Sequence, residues 1–201
     1  HLILEENTFI NQMHIAHNYA EHNDALVTLG LKPHRPDTGY GYIQFDSKPV
    51  SKGVNKVVTF TEKPPLELAE KFLESGDFLW NSGMFIWSIP SILSAFSEFL
   101  PEMSLTFAQG KGAYNTKIEA EHIERIYTEI TSISIDNGIL EKAENVYVLP
   151  SDFGWSDLGT WKSVQEKLDP IDGNESLNVS LEAVNSQGNL VVSETQKLVV
   201  L

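Results

Sequence analysis

The alternation of short apolar runs with longer segments of helical periodicity limits the possible folds most strongly. Apolar side chains recur at helical spacing in residues 6–22, 66–75 and 117–131. Short runs bounded by turn residues predict strands at 25–30, 41–45, 56–60, 84–87 and 145–149. Strands that alternate with helices of about ten to fifteen residues predict an α/β layered domain whose sheet is mixed or largely parallel.

The pattern changes near residue 170. Beyond it the sequence contains only short β-like runs separated by turn residues, at 179–184, 189–192 and 198–201. We therefore expect two domains, an α/β part over residues 1–170 and the start of a β-rich region over residues 171–201.

The charge balance excludes several classes of partner. The 201 residues carry 14 Lys and Arg against 28 Asp and Glu, a net charge of −14. Nucleic acids and anionic membrane surfaces need a positive footprint, so we expect neither as a main partner. A small anionic ligand needs only a few local cations and stays possible. The sequence has no Cys, which excludes disulfides and thiolate metal sites.

Both ends of the sequence are apolar. His1 is followed directly by Leu2-Ile3-Leu4, and the last five residues end on Val199-Val200-Leu201. Natural termini are usually polar and frayed, so we expect this chain to be a piece of a longer polypeptide. No secretory leader is recognisable in it, and the expected location is cytoplasmic.

The first candidate site is Glu62-Lys63-Pro64, which follows a predicted strand. Side chains at the carboxyl ends of strands in an open α/β sheet point into the ligand crevice. A glutamate can accept hydrogen bonds from sugar hydroxyls, and a lysine can neutralise a phosphate as a point charge. The alternative is a solvated strand end without a ligand.

Two further strings lie beside predicted strands. Gly41 precedes one strand, where a glycine lets a backbone N–H approach a ligand, although a plain turn would also use it. Asn81 lies between aromatic residues, just before another predicted strand. Its amide could hold a hydroxyl through one donor and one acceptor. The alternative is a polar turn on a core strand.

The string from Gly154 to Trp161 places Asp157 among small residues. A carboxylate with little bulk around it suits Mg²⁺, which takes one or two carboxylates and otherwise water and phosphate oxygens. The alternative is an Asp that caps the helix that follows.

Taken in order, five strings resemble the sugar-1-phosphate nucleotidyltransferase family, and within it the members that use mannose 1-phosphate; they span residues 32–43, 60–64, 80–85, 134–142 and 154–161. The resemblance implies a Rossmann-like, glycosyltransferase-A-like mixed sheet with flanking helices, incomplete at its N-terminus. It also implies a β-helix-like C-terminal segment.

The resemblance also implies a set of site residues: Gly41, Glu62 and Asn81 for the sugar, Lys63 and Lys142 for phosphate, and Asp157 for the metal. Lys63 and Asp157 would then be the catalytic residues. Asp136 and Glu141 lie in the matching strings, but the resemblance gives them no firm role.

The implied reaction transfers a guanylyl group from GTP to mannose 1-phosphate, with Mg²⁺ as cofactor, and gives GDP-mannose and pyrophosphate; a homodimer is a possible assembly. These 201 residues contain no counterpart of the family's Gly-rich nucleotide loop or of its first metal-binding Asp, so we expect this chain alone to be inactive. Two alternatives stay open: a glucose 1-phosphate uridylyl- or thymidylyltransferase, and a non-catalytic, sugar-phosphate-binding regulatory subunit.

Overall fold

The computed structural model describes residues 1–171 and 173–200, without the side chains of residues 196 and 197. The chain divides into two compact units. The larger unit is Glu5–Phe153, and the smaller one combines His1–Leu4 with the residues from Gly154 onward. No helix in the described ranges is long and apolar enough to cross a membrane.

The larger unit contains five strands: β1 (Leu26–Leu31), β2 (Tyr42–Phe45), β3 (Asn55–Thr61), β4 (Phe78–Trp87) and β5 (Val146–Ser151). Its helices are α1 (Glu6–His22), α2 (Leu66–Ser75), α3 (Ile89–Phe99), α4 (Pro101–Gln109) and α5 (Glu119–Glu129). A single π-helical turn, Asp136–Leu140, follows them and is called the π turn below.

Local sequence explains where several helices begin and end. Pro65 precedes the first residue of α2, and Gly76 ends it in the left-handed conformation with φ 75°. The Ser88 side chain caps α3 by accepting the Ser91 N–H. Pro101 begins α4, because its missing N–H is no loss at a first helical position.

The sheet of the larger unit is mixed. Its strands pair in the order β1-β4-β2-β3-β5, and β5 pairs back to β1, so the sheet closes on itself. Only the β1–β5 pair is parallel among these strands, and the others are antiparallel. The prediction of a mixed sheet is confirmed, whereas the alternative of a largely parallel sheet is wrong because β4 runs back between β1 and β2.

The core lies inside this closed sheet and beneath α3 and the π turn. All of β1 is buried. The buried apolar cluster draws residues from all five strands, α3 and the π turn, among them Leu26, Ile43, Leu79, Ile139 and Val148. The π turn is therefore anchored in the core by its own apolar residues.

Strand β4 is longer than predicted. It begins at Phe78, so Trp80 and Asn81 lie inside the strand and do not precede it. A run of five buried residues begins the strand, which explains why its first half belongs to the sheet. Gly83 within it has φ 70°, a conformation that favours glycine.

The smaller unit contains a short helix α6 (Trp161–Gln165) and two strands, β6 (Glu175–Glu182) and β7 (Leu190–Val200). The two strands are parallel although only residues 183–189 join them. A parallel pair with so short a link is typical of one rung of a solenoid. This confirms a β-rich C-terminal segment. The predicted runs at 189–192 and 198–201 form one strand, β7, although residue 201 lies outside the described residues. The domain boundary near residue 170 stays a prediction.

Candidate active site

Three predicted site residues meet because β2 lies between β3 and β4. Tyr42 at the start of β2 pairs with Thr61 and with Trp80. Gly41 precedes Tyr42, Glu62 follows Thr61, and Asn81 follows Trp80, so the three lie side by side. The Asn81 N–H donates to the Gly41 carbonyl at 2.8 Å.

The Asn81 side chain is fixed from three sides. Its Oδ1 accepts hydrogen bonds from the Thr28 hydroxyl (3.0 Å) and the Gly83 N–H (3.1 Å). Its Nδ2 donates to Asp136 Oδ1 at 3.1 Å. Both acceptor positions of the amide oxygen are thus in use. Asn81 therefore has only its remaining N–H to offer a ligand, and not the donor and acceptor pair expected from sequence.

Glu62 has a carboxylate oxygen that receives no hydrogen bond from the described part of the chain. The side chain is 14% exposed, and Oε1 lies 3.4 Å from Lys63 Nζ. Oε2 is buried and accepts no hydrogen bond from the described residues. A buried carboxylate oxygen without a donor is costly, and such atoms are rare in folded proteins. A ligand hydroxyl at this position would supply the missing donor.

The electrostatics of the site are dominated by three carboxylates, Glu62, Asp136 and Glu141, which we call the carboxylate cluster. Burial raises the pKa of Glu62 above 4.5, the charge of Asp136 raises it further, and Lys63 partly offsets both. Burial also raises the pKa of Asp136, while the hydrogen bond from Asn81 lowers it. The cluster therefore concentrates negative charge beside the Lys63 ammonium group.

Gly41 keeps the space beside Glu62 open. A Cβ at this position would lie 2.5 Å from Glu62 Oε2 and 3.3 Å from Asn81 Cβ. No other residue type could sit here without moving the Glu62 carboxylate. The glycine is thus required by a close approach at the oxygen that lacks a partner.

Lys63 has a strained backbone. Its φ is 45°, in the left-handed region, although it precedes Pro64, which disfavours helical conformations. Its side chain is 63% exposed, so the ammonium group is accessible to an anion beside the carboxylate. Backbone strain of this kind persists where the surrounding structure imposes it, often at ligand sites.

The sequence argument did not single out Thr28, and it gave Glu141 no role. Thr28 is a buried residue in the apolar strand β1, and nothing local distinguishes it. Glu141 Oε1 accepts the Glu62 N–H at 3.0 Å. Only the register of β1 with β4 and the position of the π turn reveal these partners.

Two more of the predicted site residues are Lys142 and Asp157. Lys142 is exposed, and its backbone N–H donates to the carbonyl of Ile139 in the π turn at 2.9 Å. Asp157 belongs to the smaller unit. The structure therefore brings together Gly41, Glu62, Lys63 and Asn81 in the larger unit.

The loop that carries Asp157 is well defined within the smaller unit. Leu2 and Ser156 exchange backbone hydrogen bonds of 2.8 and 3.1 Å. A Cβ on Gly159 would lie 2.4 Å from Asp157 Oδ2, so this glycine keeps one side of the carboxylate open. Thr160 caps α6 by accepting the Ser163 N–H, so the alternative of Asp157 as the helix cap is wrong.

The donor set around Asp157 fits a metal that takes most of its ligands from substrate. Across the described ranges, no three His, Cys, Asp or Glu residues converge as a complete metal site. Mg²⁺ needs only one or two carboxylates and fills its other positions with water and phosphate oxygens. One partly buried carboxylate beside a glycine meets that requirement.

Two curated relatives show high similarity to the chain. A mannose-1-phosphate guanylyltransferase of Sinorhizobium fredii is 38% identical over 179 residues, which is 87% of this chain and 34% of the relative. An Escherichia coli protein of the same name is 35% identical over 173 residues, 83% of this chain and 36% of the relative. The chain thus spans about a third of the length of the curated relatives it matches.

Solved structures and a family profile agree with this result. The structure described as mannose-1-phosphate geranyltransferase of Thermus thermophilus matches with a TM-score of 0.84 and 27% identity, covering 100% of this chain and 57% of that one. A mannose-6-phosphate isomerase of Helicobacter pylori matches 78% of this chain and 61% of its own, with a TM-score of 0.66 and 25% identity. The profile of the nucleotidyl transferase family matches residues 1–171. The chain therefore belongs to the nucleotidyl transferase family, and the family predicted from the five strings is confirmed.

Proposed function

We propose that this chain forms the sugar-phosphate-binding part of an enzyme that transfers a guanylyl group from GTP to mannose 1-phosphate. The observation that carries the proposal is the buried Glu62 Oε2, which lacks a hydrogen-bond donor beside an accessible Lys63. The relatives named mannose-1-phosphate guanylyltransferase support this choice of substrates.

The sugar would bind at Glu62 and Asn81. Glu62 Oε2 accepts a hydroxyl hydrogen, which removes the unmet hydrogen bond, and Asn81 Nδ2 donates its remaining N–H. Gly41 contributes by the absence of a side chain, because a Cβ would occupy the position next to Oε2. The hydrogen bonds that fix the Asn81 side chain and the Glu62 backbone before the sugar arrives reduce the entropy lost on binding.

The 1-phosphate would lie at Lys63, the residue directly after the sugar-binding carboxylate. Lys63 Nζ is 3.4 Å from Glu62 Oε1, so one short segment offers an acceptor for hydroxyls and a cation for the phosphate. Lys142, which follows Glu141, is proposed as a second phosphate contact. Both lysines would offset the repulsion between two anionic substrates.

The chemical step needs no nucleophilic side chain. A phosphate oxygen of mannose 1-phosphate attacks the α-phosphorus of GTP in line with the departing group. The new oxygen–phosphorus bond forms as the bond from the α-phosphorus to the bridging oxygen breaks, and its electron pair leaves with pyrophosphate. The protein contributes alignment and charge neutralisation, which are the main demands of phosphoryl-type transfer.

The nucleotidyl transferase family generally uses a divalent metal ion. We assign Mg²⁺ to Asp157, where it would neutralise charge on the phosphates and on the leaving pyrophosphate. The homodimer and the cytoplasmic location stay predictions. No observation favours a glucose 1-phosphate enzyme or a regulatory subunit over the guanylyltransferase.

The experiment is a substrate matrix with the full-length protein and Mg²⁺. GTP, UTP and dTTP are each paired with mannose 1-phosphate and with glucose 1-phosphate, and nucleotide sugar and pyrophosphate are both measured. We expect GDP-mannose and pyrophosphate in equal amounts from GTP with mannose 1-phosphate, and no product from this chain alone. Preference for another pair, or no product from any pair, would contradict the proposal.

A further inference from the structure

The π turn brings two carboxylates to one side of the chain. The Glu141 N–H donates to the Asp136 carbonyl at 3.0 Å, five residues back. In an α-helix, residues five apart point about 140° away from each other, at about 100° per residue. The wider i→i+5 turn makes this angle smaller. The hydrogen bonds of the two side chains to Asn81 and to Glu62 then put both carboxylates beside the same site.

Each of these carboxylates holds a different group of the sugar site. Asp136 Oδ1 accepts from Asn81 Nδ2 at 3.1 Å, and Glu141 Oε1 accepts the Glu62 backbone N–H at 3.0 Å. The second oxygen of Glu141 accepts from Asn137 Nδ2 at 3.1 Å, which fixes the carboxylate from both ends. The Asn81 amide and the Glu62 N–H are both uncharged donors. Each carboxylate therefore serves here as a hydrogen-bond acceptor and not as the partner in an ion pair.

The π turn is a rigid support for these contacts. Gly138, Ile139 and Leu140 are buried, and Ile139 and Leu140 belong to the main apolar cluster. A Cβ on Gly138 would lie 3.0 Å from Leu100 Cδ1, so the turn packs closely against the end of α3. The backbone between the two carboxylates therefore cannot shift without movement of the core beneath it.

The arrangement is electrostatically unfavourable in the free protein. Asp136 and Glu141 both add negative charge beside Glu62, Lys63 offsets only part of it, and the half-buried Asp136 lies close enough to Glu62 to raise its pKa. Fold stability alone would favour a neutral acceptor at residue 136. Proteins keep such unfavourable groups where binding or catalysis needs them.

We propose that Asp136 and Glu141 are positioning residues, which act through Asn81 and Glu62 to hold the sugar-binding groups in place before mannose 1-phosphate arrives. This inference rests on the proposed function, because it assigns the sugar contacts to Asn81 and Glu62. It adds two residues and a structural element, the π turn, to the site.

Steady-state kinetics of the full-length protein test the inference. Asp136→Ala and Glu141→Ala should each raise the KM for mannose 1-phosphate by about 10-fold, the size expected for one hydrogen bond to a charged group, and leave the KM for GTP unchanged. Asp136→Asn keeps an acceptor oxygen for Asn81 and should restore most of the affinity. The exposed Glu74 on α2 provides the control, Glu74→Ala.

A double-mutant cycle distinguishes positioning from direct contact. If Asp136 acts through Asn81, then Asp136→Ala has little further effect in an Asn81→Ala background. Additive effects, or an Asp136→Asn variant as impaired as Asp136→Ala, would show that the charge itself acts on substrate and would overturn the inference. Equal increases in both KM values together with a lower Tm would show a merely structural role and overturn it as well.

The side-chain amide signal of Asn81 in NMR spectra reports the contact without turnover. The inference requires this signal, assigned with Asn81→Gln, to shift in Asp136→Ala and to stay in place in Glu74→Ala. If the wild-type protein makes no GDP-mannose, the proposed function fails, and the amide signal still decides whether Asp136 positions Asn81. An unshifted signal in Asp136→Ala would overturn the inference in either case.

Discussion

Two regions of the larger unit differ in what they leave unsatisfied. One is the proposed sugar site around the carboxylate cluster. The other is an apolar groove formed by two adjoining cavities of about 390 and 430 Å³ beside α3 and α4, which share Leu100, Met103, Ile130 and Ile133. The groove is roomy, but no Lys or Arg is among the described residues that line it.

The proposed sugar site is distinguished by locally unfavourable features of its residues, and not by a large cavity. It contains a carboxylate oxygen without a donor, a lysine in a left-handed conformation, and a glycine with no room for a side chain. Each of these features costs stability in the free protein. We infer that features which destabilise the free protein mark the ligand site in this chain better than cavity size does. The following predictions test that view.

The largest expected effect belongs to Lys63. Lys63→Ala should lower kcat/KM for mannose 1-phosphate by about 100-fold, because a charged hydrogen bond to phosphate contributes up to about 3 kcal/mol. The KM for GTP should not change. Steady-state kinetics of the full-length protein measure both values, with Lys71→Ala on the exposed face of α2 as control. An unchanged KM and kcat for the sugar phosphate would remove Lys63 from the site.

Substitutions at two glycines, Gly41 and Gly30, should separate an effect on sugar binding from an effect on core packing. A Cβ on Gly41 meets the mobile end of Glu62, which can swing away, whereas a Cβ on Gly30 meets Val148 Cγ2 at 2.5 Å and Leu79 Cδ1 at 2.7 Å in the core. Gly41→Ala should therefore raise the KM for mannose 1-phosphate by about 10-fold, the loss of one good hydrogen bond, with little change in Tm. Gly30→Ala should cost about 1–3 kcal/mol of stability, as overpacked cores do.

Thermal unfolding and kinetics of the two glycine variants should thus rank them in opposite orders. Gly41→Ala should have the larger effect on KM, and Gly30→Ala the larger effect on Tm. The same ranking in both measurements would show that Gly41 is an ordinary packing position and would weaken the comparison.

Replacing the buried carboxylate should stabilise the free protein. The pKa of Glu62 is raised in the folded state, so the folded protein binds this proton more tightly than the unfolded chain does. Stability is then lost as pH rises from about the ordinary value of 4.5 through the folded pKa. Glu62→Gln cannot ionise, so above that window it should be more stable than the wild type, by about 2–4 °C in Tm.

Calorimetric scans between about pH 4 and pH 8 without ligand measure this difference. It should vanish at the acid end, where Glu62 is protonated in both states, and Glu74→Gln should show no such trend. The groups that face Glu62 are Asp136, Glu141 and Lys63, so the same scans of Asp136→Asn should show a change of the same sign. A Glu62→Gln variant less stable than wild type at neutral pH would show that the carboxylate is paired in solution.

Local sequence was sufficient for the helix α2 and for the site strings at strand ends. Pro65 and Gly76 set the ends of α2 through backbone rules that need no distant contact. Glu62 was predicted because the ends of strands are where a sheet presents side chains to ligands, and Gly41 because a glycine lets the backbone approach a ligand. These features depend on residues that are close in the sequence.

The contacts that the sequence could not predict depend on which residues of neighbouring strands pair with each other. Thr28 reaches Asn81 only because β1 and β4 pair with an irregularity between Thr28 and Gly30. The bonds from Asn81 to Asp136 and from Glu62 to Glu141 span 55 and 79 residues. The π turn inserts one residue into a helical turn, and no local pattern distinguishes that from an ordinary turn.

The smallest expected effect on sugar binding comes from the apolar groove. Met103 lines both cavities, and unlike Leu100 it is not the residue that packs against Gly138 of the π turn. Met103→Ala removes partly buried apolar surface, so it should cost about 1 kcal/mol of stability, less than for a fully buried methionine. The KM for mannose 1-phosphate should change by less than about 2-fold, since the variant leaves every hydrogen bond of the sugar site in place.

Thermal unfolding and steady-state kinetics measure the two effects, with Leu105→Ala at a 64% exposed position as control. A KM raised by about 10-fold without loss of stability would place substrate in the groove, and the contrast between locally unfavourable features and cavity volume would then be false.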